Sequence, residues 1–157
     1  MSNQGLTIEQ ANDFLALQPA LVDLVRQAVA GMSPAVHVLT AAELADVKEA
    51  GQHTPAVHVV YAGYSVAEAM GVQWRLLHRW YVVAAVRNVS NARSGQAALL
   101  DAGTLGARVT GALAGAALPG ASRTLELITP PPAKYSAGFQ YIPSAFQVET
   151  IFRKPTR

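Results

Sequence analysis

Hydrophobic positions are densest between Trp74 and Val86. The run from Trp80 to Val86 is apolar at odd and even positions alike, which predicts a strand covered on both faces. It stops at Arg87-Asn88, and a Ser/Asn/Gly turn follows. Residues 96–118 then read as a helix of alanine and glycine with few charges and with Ser94-Gly95 as its cap. Gly103, Gly106, Gly111 and Gly115 fall inside it, each costing about 1 kcal/mol against alanine. A helix that tolerates so much glycine is expected to lie close against another backbone.

Upstream, Thr7 with Gln10 forms a capping box, and Ile8, Ala11, Phe14 and Leu15 follow at helical spacing. Leu17-Gln18-Pro19 predicts a kink or break, after which Leu21, Leu24, Val25, Ala28 and Val29 resume the stripe as far as Gly31. Thr40 and Glu43 form a second capping box, opening a short helix that ends near Gly51. An internal echo flanks it: Pro34-Ala35-Val36-His37-Val38 and Pro55-Ala56-Val57-His58-Val59. Both read as strands with valines on one face and histidines on the other, the parts of a short βαβ unit.

Ala62–Gly71, small and polar, reads as a loop or hairpin connection. After Pro119-Gly120, Arg123–Thr129 alternates as a strand and is ended by Pro130-Pro131-Pro132, since proline has no N–H to give a ladder. Residues 130–138 read as an exposed proline-rich loop, Ala145–Arg153 as a final alternating strand, and 154–157 as a disordered tail. The fold class predicted is α/β in the α+β sense: one domain over 1–157, with a single mixed β-sheet and helices packed on it.

Composition narrows the function. Of 157 residues, 51% are apolar and 14% are charged, lean for a free monomer and suited to a chain that hides surface in partners or copies of itself. There is no cysteine, which removes disulfides, thiolate metal sites and cysteine nucleophiles. No apolar stretch reaches the roughly 18 to 20 residues of a membrane span, and the first residues, with Glu9 and Asp13, do not read as a signal peptide. A soluble intracellular protein is expected.

The net charge of +2 hides an asymmetry. Residues 1–71 hold two basic and seven acidic groups; residues 72–157 hold ten basic and three acidic. This fits a nucleic-acid partner or copies meeting acidic side to basic side. The second reading is favoured, because the arginines are spread thinly and no nucleic-acid motif accompanies them. Arg75 and Arg79 do alternate with Trp74 and Trp80, an arrangement that stacks single-stranded bases in some proteins. A solvated strand end or a basic wall is the favoured alternative.

Catalytic patterns are weak. His37 and His58 on adjacent strands are a candidate metal pair, but no further ligand appears at zinc-site spacing. No serine sits in a G-x-S-x-G elbow, and no phosphate loop is spelled by the glycines. Gly111-x-x-x-Gly115 matches a helix-contact motif, read first as helix on sheet and second as a subunit contact. A small-molecule enzyme would need His37, His58 and a carboxylate in one deep pocket. No catalytic residue, metal ligand or cofactor is assigned.

Thr54-Pro55-Ala56-Val57-His58-Val59-Val60-Tyr61 resembles the "LPAVHVVY" segment of small minor tail proteins from Mu-like phages and prophages. So do, in order, the Trp-bearing strand, Val82–Asn88, Ser94-Gly95-Gln96-Ala97-Ala98, Ala102-Gly103, Gly111–Gly115, the proline-rich loop with Tyr135, and Pro143-Ser144-Ala145-Phe146-Gln147-Val148. The order spans about residues 5–153 and is similar to the phage tail terminator family. The resemblance implies a homo-oligomer, a hexameric ring on the tail tube that stops its growth and meets head-completion or connector proteins. It implies assembly in the host cytoplasm and residence in the virion tail. Arg75, Arg79, Arg87, Arg93, Arg108, Gly111 and Gly115 are the candidate subunit or lumen interface, with a weak sequence-blind attraction for DNA in the lumen. The loops at 62–71, 90–94 and 130–138 are expected to adapt to tube and head partners. A head–tail connector subunit is the rival within the same class.

Overall fold

A computed structural model of the chain describes residues 7–87 and 101–156. Three strands of 15 residues dominate it: β2 (Ala56–Met70), β3 (Gln73–Arg87) and β6 (Phe139–Arg153). Short strands β1 (His37–Thr40), β4 (Glu126–Ile128) and β5 (Lys134–Ser136) complete one mixed six-stranded sheet. Its order is β1-β2-β3-β6-β4, with β5 also on β6. Only the β1–β2 pair is parallel. The echo is thus the predicted βαβ unit, joined by α3 (Ala41–Leu44) and a 3₁₀ turn at Glu49–Gly51.

Helices α2 (Gln18–Val29) and α4 (Ala102–Leu113) cover one sheet face. Leu21, Val22, Val25 and Val29 from α2 meet Leu105, Val109 and Leu113 from α4 over Val57, Val59, Trp80, Val82, Ala84, Phe146 and Val148. Burying side chains of this size contributes roughly 1.5–3 kcal/mol each. The predicted caps hold: Thr7 Oγ1 accepts from Gln10 N at 3.1 Å to open α1 (Ile8–Asn12), and Glu43 accepts from Thr40 N at 3.2 Å. Pro19 sits in the first turn of α2, so Leu17-Gln18-Pro19 is a break between two helices, not a kink in one.

Several expectations are corrected. Ala62–Gly71 is no loop: β2 runs through to Met70. Its alternation is scrambled by register shifts between Tyr61 and Tyr64 and between Val66 and Glu68, where extra residues are inserted against β3. The last strand starts at Phe139, not Ala145, and contains Pro143. Glu149 O accepts from Ser122 N, and Arg153 N and O bond to Asn12, so the odd residues of β6 turn their backbone away from β3. Pro143 lies in that series, in the gap between the β5 and β4 pairings, where no ladder bond is required of it. Residues 130–138, expected as loop, contain β5.

The glycine helix begins later and ends earlier than 96–118. Asp101 is its cap, accepting from Thr104 N at 2.6 Å, and Ser94 lies outside the described residues. Gly115, at φ +78°, lies beyond its end. The close approach to the sheet is made at Gly106, where a Cβ would stand 3.7 Å from Ala84 Cβ and 3.9 Å from Ile142 Cγ2. At Gly111 a Cβ would meet nothing within 4 Å. Among the described residues α2 and α4 cover β3 on its even face and leave the odd face bare of them, yet that face is partly covered: Ala85 is buried, Tyr81 and Val83 are half-buried, and Arg79 and Arg87 are exposed.

Gly106→Leu is therefore expected to lower unfolding free energy by about 1–3 kcal/mol through overpacking. Gly111→Ala should raise it by about 0.5–1 kcal/mol by removing glycine's backbone entropy from an open helical site. Urea denaturation of both variants checks the pair.

Candidate functional site

Strand alternation sorts the candidate residues. Arg75, Arg79 and Arg87 are odd positions of β3 and share the helix-free face with Leu77, Tyr81 and Val83, while Trp74 and Trp80 are even and face the helix side. Trp80 is wholly buried in the core. Arginine and tryptophan thus lie on opposite faces and form no shared platform for bases, which overturns the interleaving reading.

The arginines also differ among themselves. Arg75 Nη1 pairs with Glu68 at 2.8 Å and its Nε lies 3.5 Å from Glu149, which also receives Ser122 Oγ at 2.8 Å. Arg79 is exposed, and Arg87 lies 5.8 Å over the Phe139 ring. Arg108 belongs to the other layer: its Nε donates to Ala28 O at 2.7 Å, tying α4 to the last turn of α2. Gly111 is exposed on α4, and Gly115 N donates to Leu125 O at 2.8 Å. Arg93 lies outside the described residues. Arg79 and Arg87 are the members of the set exposed on the bare face, and the set does not converge on one place.

The histidines separate as well. His37 is exposed, with its ring 5.2 Å from that of His53 and not joined to His58. The parallel register places His37 beside Ala56 and Leu39 beside His58. His58 is buried 6.4 Å from the Tyr141 ring, with no hydrogen-bond partner for its Nε2 among the described residues. His78 is buried on the helix side, between Tyr61 Oη at 2.8 Å from Nδ1 and Thr150 Oγ1 at 2.8 Å from Nε2. Burial pushes both His58 and His78 below the ordinary imidazole value. No three His, Asp or Glu side chains stand together as a metal site among the described residues.

Two features went unseen in the sequence. On the bare face, Tyr141 Oη donates to Glu49 Oε2 at 2.6 Å, Gln52 Nε2 donates to Tyr141 Oη at 2.6 Å, and Ser136 Oγ donates to Glu49 Oε1 at 3.1 Å. The Tyr141 bond foremost, with Ser136 and Lys134, holds the Glu49 carboxyl below its usual range. This network pins the β1–β2 crossover to the β5–β6 hairpin. On the helix side, beyond the reach of α2 and α4, Phe14, Tyr64, Val66, Trp74, Leu76 and Phe152 line an apolar groove. Phe14 stands 4.7 Å from Tyr64 and 6.1 Å from Phe152, centroid to centroid.

The described residues thus bring together no catalytic constellation: the histidines are scattered, and the sheet face away from α2 and α4 carries arginines and carboxylates together. Residues 10–157 match the family model described as phage tail terminator protein, and the chain belongs to that family. No curated protein matches it at a significant level. The protein therefore has a structural role in phage tail assembly, as a component of the virion tail that self-associates and contacts other tail and head components. Among the described residues no helix is long and apolar enough to cross a membrane.

The two buried histidines set an acid limit. Their folded pKa lies below the unfolded value near ~6.5, so the unfolded chain binds more protons. Their contribution is complete above about pH 6.5 and is lost as pH falls through that value. Urea midpoints between pH 8 and 5 should drop on the acid side, and His58→Gln combined with His78→Gln should flatten the drop; an unchanged slope in the double variant would refute the assignment.

Proposed function

We propose that this chain is the subunit of a closed ring, six copies in number, that caps the tail tube, stops its polymerisation and offers its far side to head-completion or connector proteins. The observation that supports the reading is the sheet face that α2 and α4 leave uncovered, with Arg79 and Arg87 exposed on it beyond the part covered near Ala85. A face of this kind suits the wall of a passage. A ring seated on the tube end occupies the growing surface, while its other side is unlike a tube subunit, so the next tube subunit finds no matching surface. Exposed arginines toward the lumen attract passing DNA through its phosphates, without regard to sequence.

Binding, not catalysis, is the mode of action. The enzyme reading required His37, His58 and a carboxylate around one pocket, and the two histidines are held apart, one exposed and one buried. Assembly takes place in the host cytoplasm before the ring joins the virion tail.

Removing the gene from its phage and imaging the tails tests the proposal. Tubes that overrun their normal length are expected. Tails of normal length that merely lack heads would assign the chain to the connector instead, and normal particles would end the assembly reading.

A further inference from the structure

The open edge of β2 is the least explained surface of the molecule. Among the described residues β1 pairs with β2 only from Ala56 to Val59, and none of the described strands lies beside that edge from Val60 to Met70. The even residues of β6 turn their backbone toward β3, and this alternation carries across the sheet. Through the register it makes Tyr61, Tyr64, Val66 and Ala69 the residues of this part of β2 whose N–H and C=O face outward, with side chains on the helix side. Tyr64 and Val66 are 48% and 57% exposed and line the apolar groove. An unpaired edge beside an apolar groove is a template for strand addition.

The opposite edge of the same sheet supplies a complement. β4 runs antiparallel to β6, and hence antiparallel to β2. Leu125 exchanges backbone bonds with Gly115 and Ala116 on its outer side, so two residues on, Leu127 also turns its N–H and C=O outward. Leu127 is 50% exposed, and its pairing with Phe146 puts its side chain on the helix side, the side that holds the groove. β4 also lies level with the point where β2 leaves β1: Leu127 is in register with Phe146, Trp80 and Tyr61.

We propose that β4 of one copy adds to the open edge of β2 in the next, head to tail, with Leu127 entering the groove at Tyr64 and Val66. This rests on the ring reading and gives it an interface. The contact is heterologous, so it propagates around a ring in place of closing as a two-fold dimer. The ladder is short, since Pro130 ends β4, and the apolar groove extends the contact beyond it.

The absence of native cysteine makes the test direct. Leu127→Cys, Val66→Cys, Tyr64→Cys and Ser65→Cys are made singly in the full chain and checked for an unchanged melting temperature. Mixed pairs are then oxidised, both as concentrated purified protein and in tails assembled from the two variants. Facing residues of an antiparallel pair have Cα atoms about 5.5 Å apart, within disulfide reach. Leu127→Cys should link to Val66→Cys or Tyr64→Cys, and at least tenfold less to Ser65→Cys, whose side chain is on the other face. Preferential linking of Val66→Cys to itself, or no mixed product in either preparation, overturns the interface. That failure is separable from failure of the ring reading: overrun tubes on gene removal with no cross-link leave the terminator role standing without this contact.

Discussion

The structure depends on one mismatch of lengths. β2, β3 and β6 are 15 residues each, about 50 Å of extended chain, whereas α2 and α4 have 12 residues each, about 18 Å of helix. Two such helices cannot cover even one face of the sheet along its length. They bury its middle, over Trp80, Val82 and Phe146, and leave the far end to the short α1 and Phe14. The groove at Tyr64 and Val66 and the bare opposite face follow from that arithmetic. Neither needs a catalytic explanation.

Polar groups on the bare face settle position more than stability. Glu68, Arg75, Glu149 and Arg123 form a chain of ion pairs around the largely covered Glu149, and the exposed Glu68–Arg75 member contributes little. The Glu49, Gln52, Tyr141 and Ser136 network likewise fixes where the crossover and the proline-rich segment lie on the sheet. Asn12 does comparable work on the β6 edge. Its amide accepts from Arg153 N at 3.0 Å and donates to Arg153 O at 2.7 Å, taking the place of a neighbouring strand. The β6 edge is thus closed by side chains and short strands, while among the described residues β2 beyond Val59 is left open. That contrast makes the open edge meaningful, since natural sheets otherwise cover such edges.

Much of the fold was legible in the sequence because it rests on local chemistry. The capping boxes at Thr7 and Thr40, the Pro19 break and the paired Pro-Ala-Val-His-Val strands all follow from residues within a few positions of each other. What escaped depends on distant partners. Bulges hide the alternation of Ala62–Met70, and Pro143 reads as a strand breaker until the gap between β4 and β5 is known. Some of the site was legible and misjudged. Parity alone separates Arg75 and Arg79 from Trp74 and Trp80, and helical spacing alone puts Gly106 with Ala102, Leu105, Val109 and Leu113, and Gly111 off that stripe. The groove had no such signal, because Phe14, Tyr64 and Phe152 meet only through the sheet register.

Edges and ends of the sheet divide the labour of a terminator. If the lateral edges are taken up by neighbouring copies, the strand ends remain to meet other proteins along the axis. Those ends differ chemically. At one, the β2–β3 turn presents exposed Val72 beside the apolar groove; at the other, Glu49, Lys134 and Tyr141 form a polar cluster. A ring built from such subunits has two unlike faces by construction. On the proposed ring reading, addition of tube subunits would stop at a surface that no longer repeats the tube's own, and the polar end would supply that surface without any conformational switch. The difference between the two strand ends, fixed by where the helices run out, is what would make the proposed cap a one-way structure.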